Sequence, residues 1–152
     1  MNHGQRLSGF SLLELVLSIS IFAIGSIVAG NMIIDANTST RVDLDKAEAV
    51  QIAREGIEAV TSIRDSGFAN LSISGSHGLA SGGGGYGWVF SASTSDLVDS
   101  KFYRSITIAL NPTSNFTSTS TATATSTVTW VSARNKTDSV SLTTVLTDWR
   151  LY

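Results

Sequence analysis

Between Leu12 and Ile34 the chain runs for 23 residues with a single ionisable side chain, Glu14. No other feature limits the possible folds so sharply. About 20 apolar residues suffice to cross a bilayer as a helix. The run exceeds the roughly 7–15 apolar residues of a secretory signal, and no Ala-x-Ala cleavage site follows it. Arg6, together with the amino terminus, favours keeping this end in the cytoplasm and exporting the rest. Glu14 stands out, because a carboxylate in an apolar surrounding is costly unless an opposite charge meets it.

The remaining composition excludes several kinds of chemistry. A net charge of −2 provides no basic field for nucleic acid. Two distant histidines, His3 and His77, and the absence of cysteine leave little material for a zinc site or a thiol nucleophile, and none for a disulfide. His77 lies among Ser74, Ser76 and Ser81 without a G-x-S-x-G context, so it reads as a solvated loop residue. The run "SGGGGYG" at 81–87 lacks the Gly-Lys-Ser/Thr of a phosphate loop and reads as a surface loop. Asp96, Asp99 and Asp138 are too scattered for an acidic calcium loop, and Asp148 beside Trp149 and Arg150 reads as a surface ion pair or a fold-closing contact. The expectation is a protein without catalysis, cofactor or metal.

Charge is concentrated at 35–65, and beyond residue 66 the chain turns to Ser, Thr and Gly. Ala47, Val50, Ala53, Ile57 and Val60 recur at helical spacing, with Glu48, Gln51, Glu55 and Glu58 between them. This predicts a helix from about Ser11 to Asp65, on the order of 80 Å at 1.5 Å per residue. It is either one bent helix or two in series, with a cap or break at Asn37–Ser39 and Gly67 as C-cap. Strands are predicted at "WVF" (88–90), at "KFYRSITIAL" with Phe102, Ile106, Ile108 and Leu110 on one face and Pro112 as its stop, around Val128 and Trp130, and at "SVSLTTVLTDW" with Val140, Leu142 and Leu146 sharing a face. Arg104 interrupts the apolar side of the second strand. "ARNKTDS" is a hairpin turn. The first half of "TSNFTSTSTATATSTVTWV" (113–131) is too poor in apolar residues for a core strand and reads as a loop or exposed edge open to O-linked sugars. Asn70, Asn115 and Asn135 match N-x-Ser/Thr. The fold class is α+β: a long amino-terminal helix, apolar and then amphipathic, packed on a small antiparallel sheet.

The segment "GFSLLELVLSISIFAIG" resembles the prepilin signature of type IV pilins and type II secretion pseudopilins: a short polar leader ending in Gly9, then Phe10, then glutamate at the fifth residue beyond the glycine. More loosely, "AREGIEAVTSIRDSGF" is similar to the helix end of minor pilins, and "VTWVSARNKTDSVSLTTVLTDWR" to the final hairpin of bacterial pilin-like proteins. The resemblance implies cleavage by a prepilin peptidase between Gly9 and Phe10, N-methylation of Phe10, and pairing of Glu14 with the terminal amine of a neighbouring subunit. It divides the chain into a leader (1–9), a transmembrane and filament-core helix (10–34), its amphipathic continuation (35–66) and a small β domain (67–152). The implied partners are the peptidase, other pilin subunits, and an inner-membrane assembly platform with its ATPase. The implied place is the cytoplasmic membrane as a single pass, then a filament serving adhesion, motility or DNA uptake. The alternatives are a secretion pseudopilin and an anchored surface-binding domain that never polymerises. No mid-helix proline and no disulfide loop are present, which points away from a major pilin; Gly25 and Gly30 are left as positions of looser helix or close packing.

Overall fold

The computed structural model describes residues 11–73, 75–82, 87–111 and 120–148. It divides into two units, Met1–Thr40 and Arg41–Tyr152.

One helix, α1 (Leu12–Ser66), contributes to both units. Its first turn is closed by the Ser11 carbonyl, which accepts from Glu14 N at 2.9 Å and Leu15 N at 3.1 Å. The break anticipated at Asn37–Ser39 does not occur. There the Thr38 and Thr40 hydroxyls donate back to the carbonyls of Ile34 (3.0 Å) and Ala36 (2.9 Å). Residues that would cap a new helix are thus absorbed into the existing one. The helix ends where Gly67 N donates to the Ile63 and Arg64 carbonyls. Gly67 has φ 167°, extended backbone rather than the left-handed turn of a C-cap. One turn of 3-10 helix, η1 (Phe68–Leu71), follows.

The strands are β1 (Ser76–His77), β2 (Leu79–Ser81), β3 (Trp88–Phe90), β4 (Asp96–Val98), β5 (Phe102–Asn111), β6 (Thr121–Val131) and β7 (Thr137–Thr147). All pairings are antiparallel. The main sheet has the order β1-β5-β6-β7 with β4 also on β5, and β2 and β3 form a separate hairpin. β5, β6 and β7 match the expected alternation, and β5 ends at Asn111, one residue before Pro112, which lies outside the described residues. The β6–β7 turn closes with Ser132 N donating to the Lys136 carbonyl at 2.8 Å and with Asn135 at φ 55°, a conformation asparagine tolerates well. The β4–β5 turn holds Asp99 and Ser100 at φ 50° and 58°. The short strands β1, β2 and β4 carry too few residues to show a period in sequence.

The strand expected around Val128 and Trp130 begins earlier, at Thr121, and its Thr/Ala residues lie between β5 and β7; of the first half of 113–131, read as a loop or exposed edge, residues 113–119 lie outside the described residues. The inward side chains Ala122, Ala124, Ser126 and Val128 of β6 are fully buried. They are small, and small residues are what a helix lying close on a central strand requires.

The helix stripe is also displaced from the one expected. Ala49, Ile52, Ala53, Gly56, Ala59, Val60 and Ile63 are buried, whereas Ala47 is exposed and Val50 and Ile57 are half-buried. The core has two parts. Ala59, Val60, Ile63, Phe68 and Leu71 pack with Leu79, Ile106, Ile108 and Leu146. Ala49, Ile52 and Ala53 pack with Phe102, Val128 and Trp130.

Candidate membrane and assembly segment

Residues 12–34 satisfy their backbone within one helix, as any segment in lipid must. Their hydroxyls are satisfied the same way. Ser18, Ser20 and Ser26 donate to the carbonyls of Glu14, Val16 and Phe22 at 2.7–2.9 Å, so these three hydroxyls need no water. Fourteen large apolar side chains between Leu12 and Ile34 are at least half exposed. An 18-residue window has mean hydropathy 2.3 and nothing in it is buried. Removing each such side chain from water is worth about 1.5–3 kcal/mol, so this surface requires lipid or other protein around it. The helix is long and apolar enough to cross a membrane.

Glu14 sits in the first turn, exposed, and no ion pair is formed to it among the described residues. At 3.6 residues per turn, Glu14, Ser18, Gly25 and Ala29 share one side of the helix, while Gly30 lies about 100° round from Ala29. A Cβ at Gly25 or Gly30 would meet nothing within 4 Å. Nothing among the described residues therefore demands glycine at either position. Eleven residues separate Glu14 from Gly25, about 16 Å along the axis, so they do not form one local site. Gly9 and Phe10 lie outside the described residues.

The other candidates sort themselves by contact. His77 is not a solvated loop residue: it is half-buried in β1, opposite Ile106, with Nδ1 3.1 Å from the Ser91 carbonyl and its ring 6.2 Å from that of Phe90. Ser76 Oγ is 3.2 Å from Thr107 Oγ1, and Ser74 lies outside the described residues. Trp149 and Arg150, the proposed companions of Asp148, and residues 83–86 of the glycine loop also lie outside them. Asp96 accepts from Arg104 Nη2 at 2.7 Å and from Leu79 N at 2.9 Å. Among the described residues no group of three or more His, Asp or Glu is placed to hold a metal.

Two positions matter more than the sequence suggested. Arg104 is 3 % exposed on the inward face of β5, paired to Asp96 and lying under the Trp88 ring, 5.7 Å from its centroid. A charge at an inward position of a strand is the sequence signal, and an opposite charge from a neighbouring strand is what it calls for. Gly56 is where α1 comes nearest the sheet: a Cβ there would lie 2.4 Å from Ser126 Oγ and 3.1 Å from the Arg104 and Ile106 side chains. No sequence period marks it.

Residues 5–30 match the family described as "Prokaryotic N-terminal methylation motif". No curated protein and no solved structure matches the chain. The chain thus carries a prepilin-type methylation motif on a long apolar helix whose continuation packs on a small antiparallel sheet, an arrangement consistent with the pilin superfamily fold.

Proposed function

We propose that this chain is a structural subunit of a type IV pilus-like filament, most like a minor pilin, stored in the cytoplasmic membrane with its β domain outside. The observation that carries the reading is the methylation motif at residues 5–30, set on a helix whose apolar side chains between Leu12 and Ile34 are not buried by any of the described residues. Prepilin peptidase cuts between Gly9 and Phe10, and the new amino terminus is methylated. That step creates the positive charge which Glu14 lacks. In lipid, an unpaired carboxylate is disfavoured and a paired one tolerated, so Glu14 draws the amine of a neighbouring subunit and sets the stagger between helices. Lipid contacts along Leu12–Ile34 are then exchanged for helix contacts, with Gly25, Ala29 and Gly30 permitting close approach. Extraction from the membrane is work done by an assembly platform and its ATPase. The exposed sheet serves adhesion, motility or DNA uptake.

The test is the mass and amino-terminal sequence of the protein from its native membrane, with and without the peptidase. The expected product begins at methylated Phe10, and Glu14→Ala is expected to be processed normally but to enter filaments at a small fraction of the wild-type level. A start at Met1 in both samples leaves an anchored domain that never polymerises. A start beyond Ile34 leaves a secreted domain. Glu14→Ala filaments at normal yield would remove the pairing from the mechanism.

A further inference from the structure

Beyond Thr40 the two flanks of α1 carry opposite charge. The seven buried positions from Ala49 to Ile63 set the direction of the sheet. At about 100° per residue, Lys46 lies about 80° to one side of their mean, and Glu48 and Glu55 about 80–100° to the other, with Glu58 following towards the solvent side. The β6–β7 turn adds Arg134 and Lys136 to the Lys46 flank, where the three cations line one cavity of about 360 Å³ with two carboxylates, Asp43 and Asp138. A second depression holds Glu55 and Glu58 with Arg54 as its one cation. Lys46, Arg134, Lys136, Glu48, Glu55 and Glu58 are exposed, and none forms an ion pair among the described residues. Lys46 and Glu55 cannot meet within one copy, since they lie on opposite flanks and nine residues apart, about 14 Å along the axis.

We propose that the basic flank of one copy docks against the acidic flank of the next, side by side, with α1 running the same way in both. An offset of about 14 Å towards the carboxyl end of α1 brings the Lys46, Arg134 and Lys136 group level with Glu55 and Glu58. It also carries that group clear of Arg41, about two turns before Glu48 on the acidic flank. The minority charges match as well, Asp43 and Asp138 on one side and Arg54 on the other. Two different patches meet, so the contact is heterologous and repeats from copy to copy instead of closing on a pair. All copies keep one α1 direction, as a single membrane or filament requires. The pattern selects a second copy over an unrelated anion, because the matching carboxylates stand on the same molecule at an offset that every copy can repeat. The contact rests on the filament reading: exposed ion pairs are individually weak and screened by salt, so it orders copies that α1 has gathered. It implies that copies follow one another in the filament rather than standing singly among other pilins.

Because the chain has no cysteine, introduced thiols are unique. The full-length chain carrying Lys136→Cys and Glu55→Cys together, with Lys46, Arg134 and Glu58 left to hold the contact, is produced in its native cells. Sheared filaments are treated with a short bis-maleimide, since side chains that meet end to end hold their backbones too far apart for a disulfide. The expected product is a ladder of covalent oligomers from the double variant and at most dimers from either single one. Lys46→Glu with Lys136→Glu, and separately Glu55→Lys with Glu58→Lys, are each expected to lower filament yield several-fold, and all four together to restore most of it, with the circular dichroism spectrum unchanged throughout. Filaments without a ladder, and both reversals at normal yield, overturn this contact and leave the filament reading standing. A loss on reversing the basic flank alone that the four-fold swap does not restore also overturns it, and gives that flank to another anionic partner. Absence of filaments from the wild-type chain overturns the filament reading, and the contact with it.

Discussion

Gly56 and Ser126 form a pair in which each explains the other. The glycine lets α1 approach β6, and the serine hydroxyl fills the space a Cβ would need, 2.4 Å away. That hydroxyl is buried without a hydrogen-bond partner among the described residues. Alanine in mid-helix is favoured over glycine by about 1 kcal/mol, but overpacking costs about 1–3 kcal/mol, and at this distance the second term wins. Gly56→Ala is expected to destabilise the fold by about 1 kcal/mol. Ser126→Ala is expected to stabilise it by about 1 kcal/mol, since it removes an unsatisfied hydroxyl. The double variant is expected to be more stable than the sum of the two predicts. Denaturant melts of the four proteins test this, and simple additivity would mean that the contact carries no strain.

At the level of elements, β6 shows why a strand marked by Val128 and Trp130 starts seven residues before the first of them. Threonine marks strands weakly by itself, and the usual companion signal is a row of large apolar residues. Here the inward row is Ala122, Ala124, Ser126, Val128 and Trp130, all buried, growing in size along the strand. The period of two was legible; its meaning was not, because a small buried residue and a small exposed one look alike in sequence. Ala124→Leu is expected to cost about 2 kcal/mol or more of stability by forcing the helix off the sheet, whereas Thr125→Leu on the outward side is expected to change stability by less than about 0.5 kcal/mol. Thermal melts followed by near-ultraviolet dichroism of Trp130 and its neighbours read both. A tolerated Ala124→Leu would mean that the helix does not press on the centre of the sheet.

For the whole molecule, the apolar half of α1 and the β domain answer to different solvents. Residues 41–148 bury a core of their own. Residues 12–34 bury nothing and so acquire their environment from outside the chain. Gly25 and Gly30 follow from this: with open space around both, Gly25→Leu with Gly30→Leu is expected to leave the melting temperature of the β domain within about 1 °C, while helix–helix association in membranes and the yield of filaments fall several-fold. Thermal denaturation and quantified sheared filaments separate the two effects. A loss of domain stability would show that the glycines serve the fold rather than the assembly.

What the residues alone determined follows from local and periodic physics. Length and apolarity mark Leu12–Ile34 as a membrane-length helix, the isolated Glu14 poses its own question of a partner, and alternation places the inward faces of β5 and β7. These signals need no neighbours, because a helix or strand period is written in the order of residues. The tertiary structure decided the rest. It continued α1 through Asn37–Ser39, moved the buried stripe onto Ala49, Ile52 and Gly56, put the Thr/Ala stretch in the centre of the sheet, and gave Arg104 its Asp96. Each of these depends on which surface lies opposite: a capping residue, a small side chain or a lone charge has several satisfactory local states, and only packing against the other element selects one.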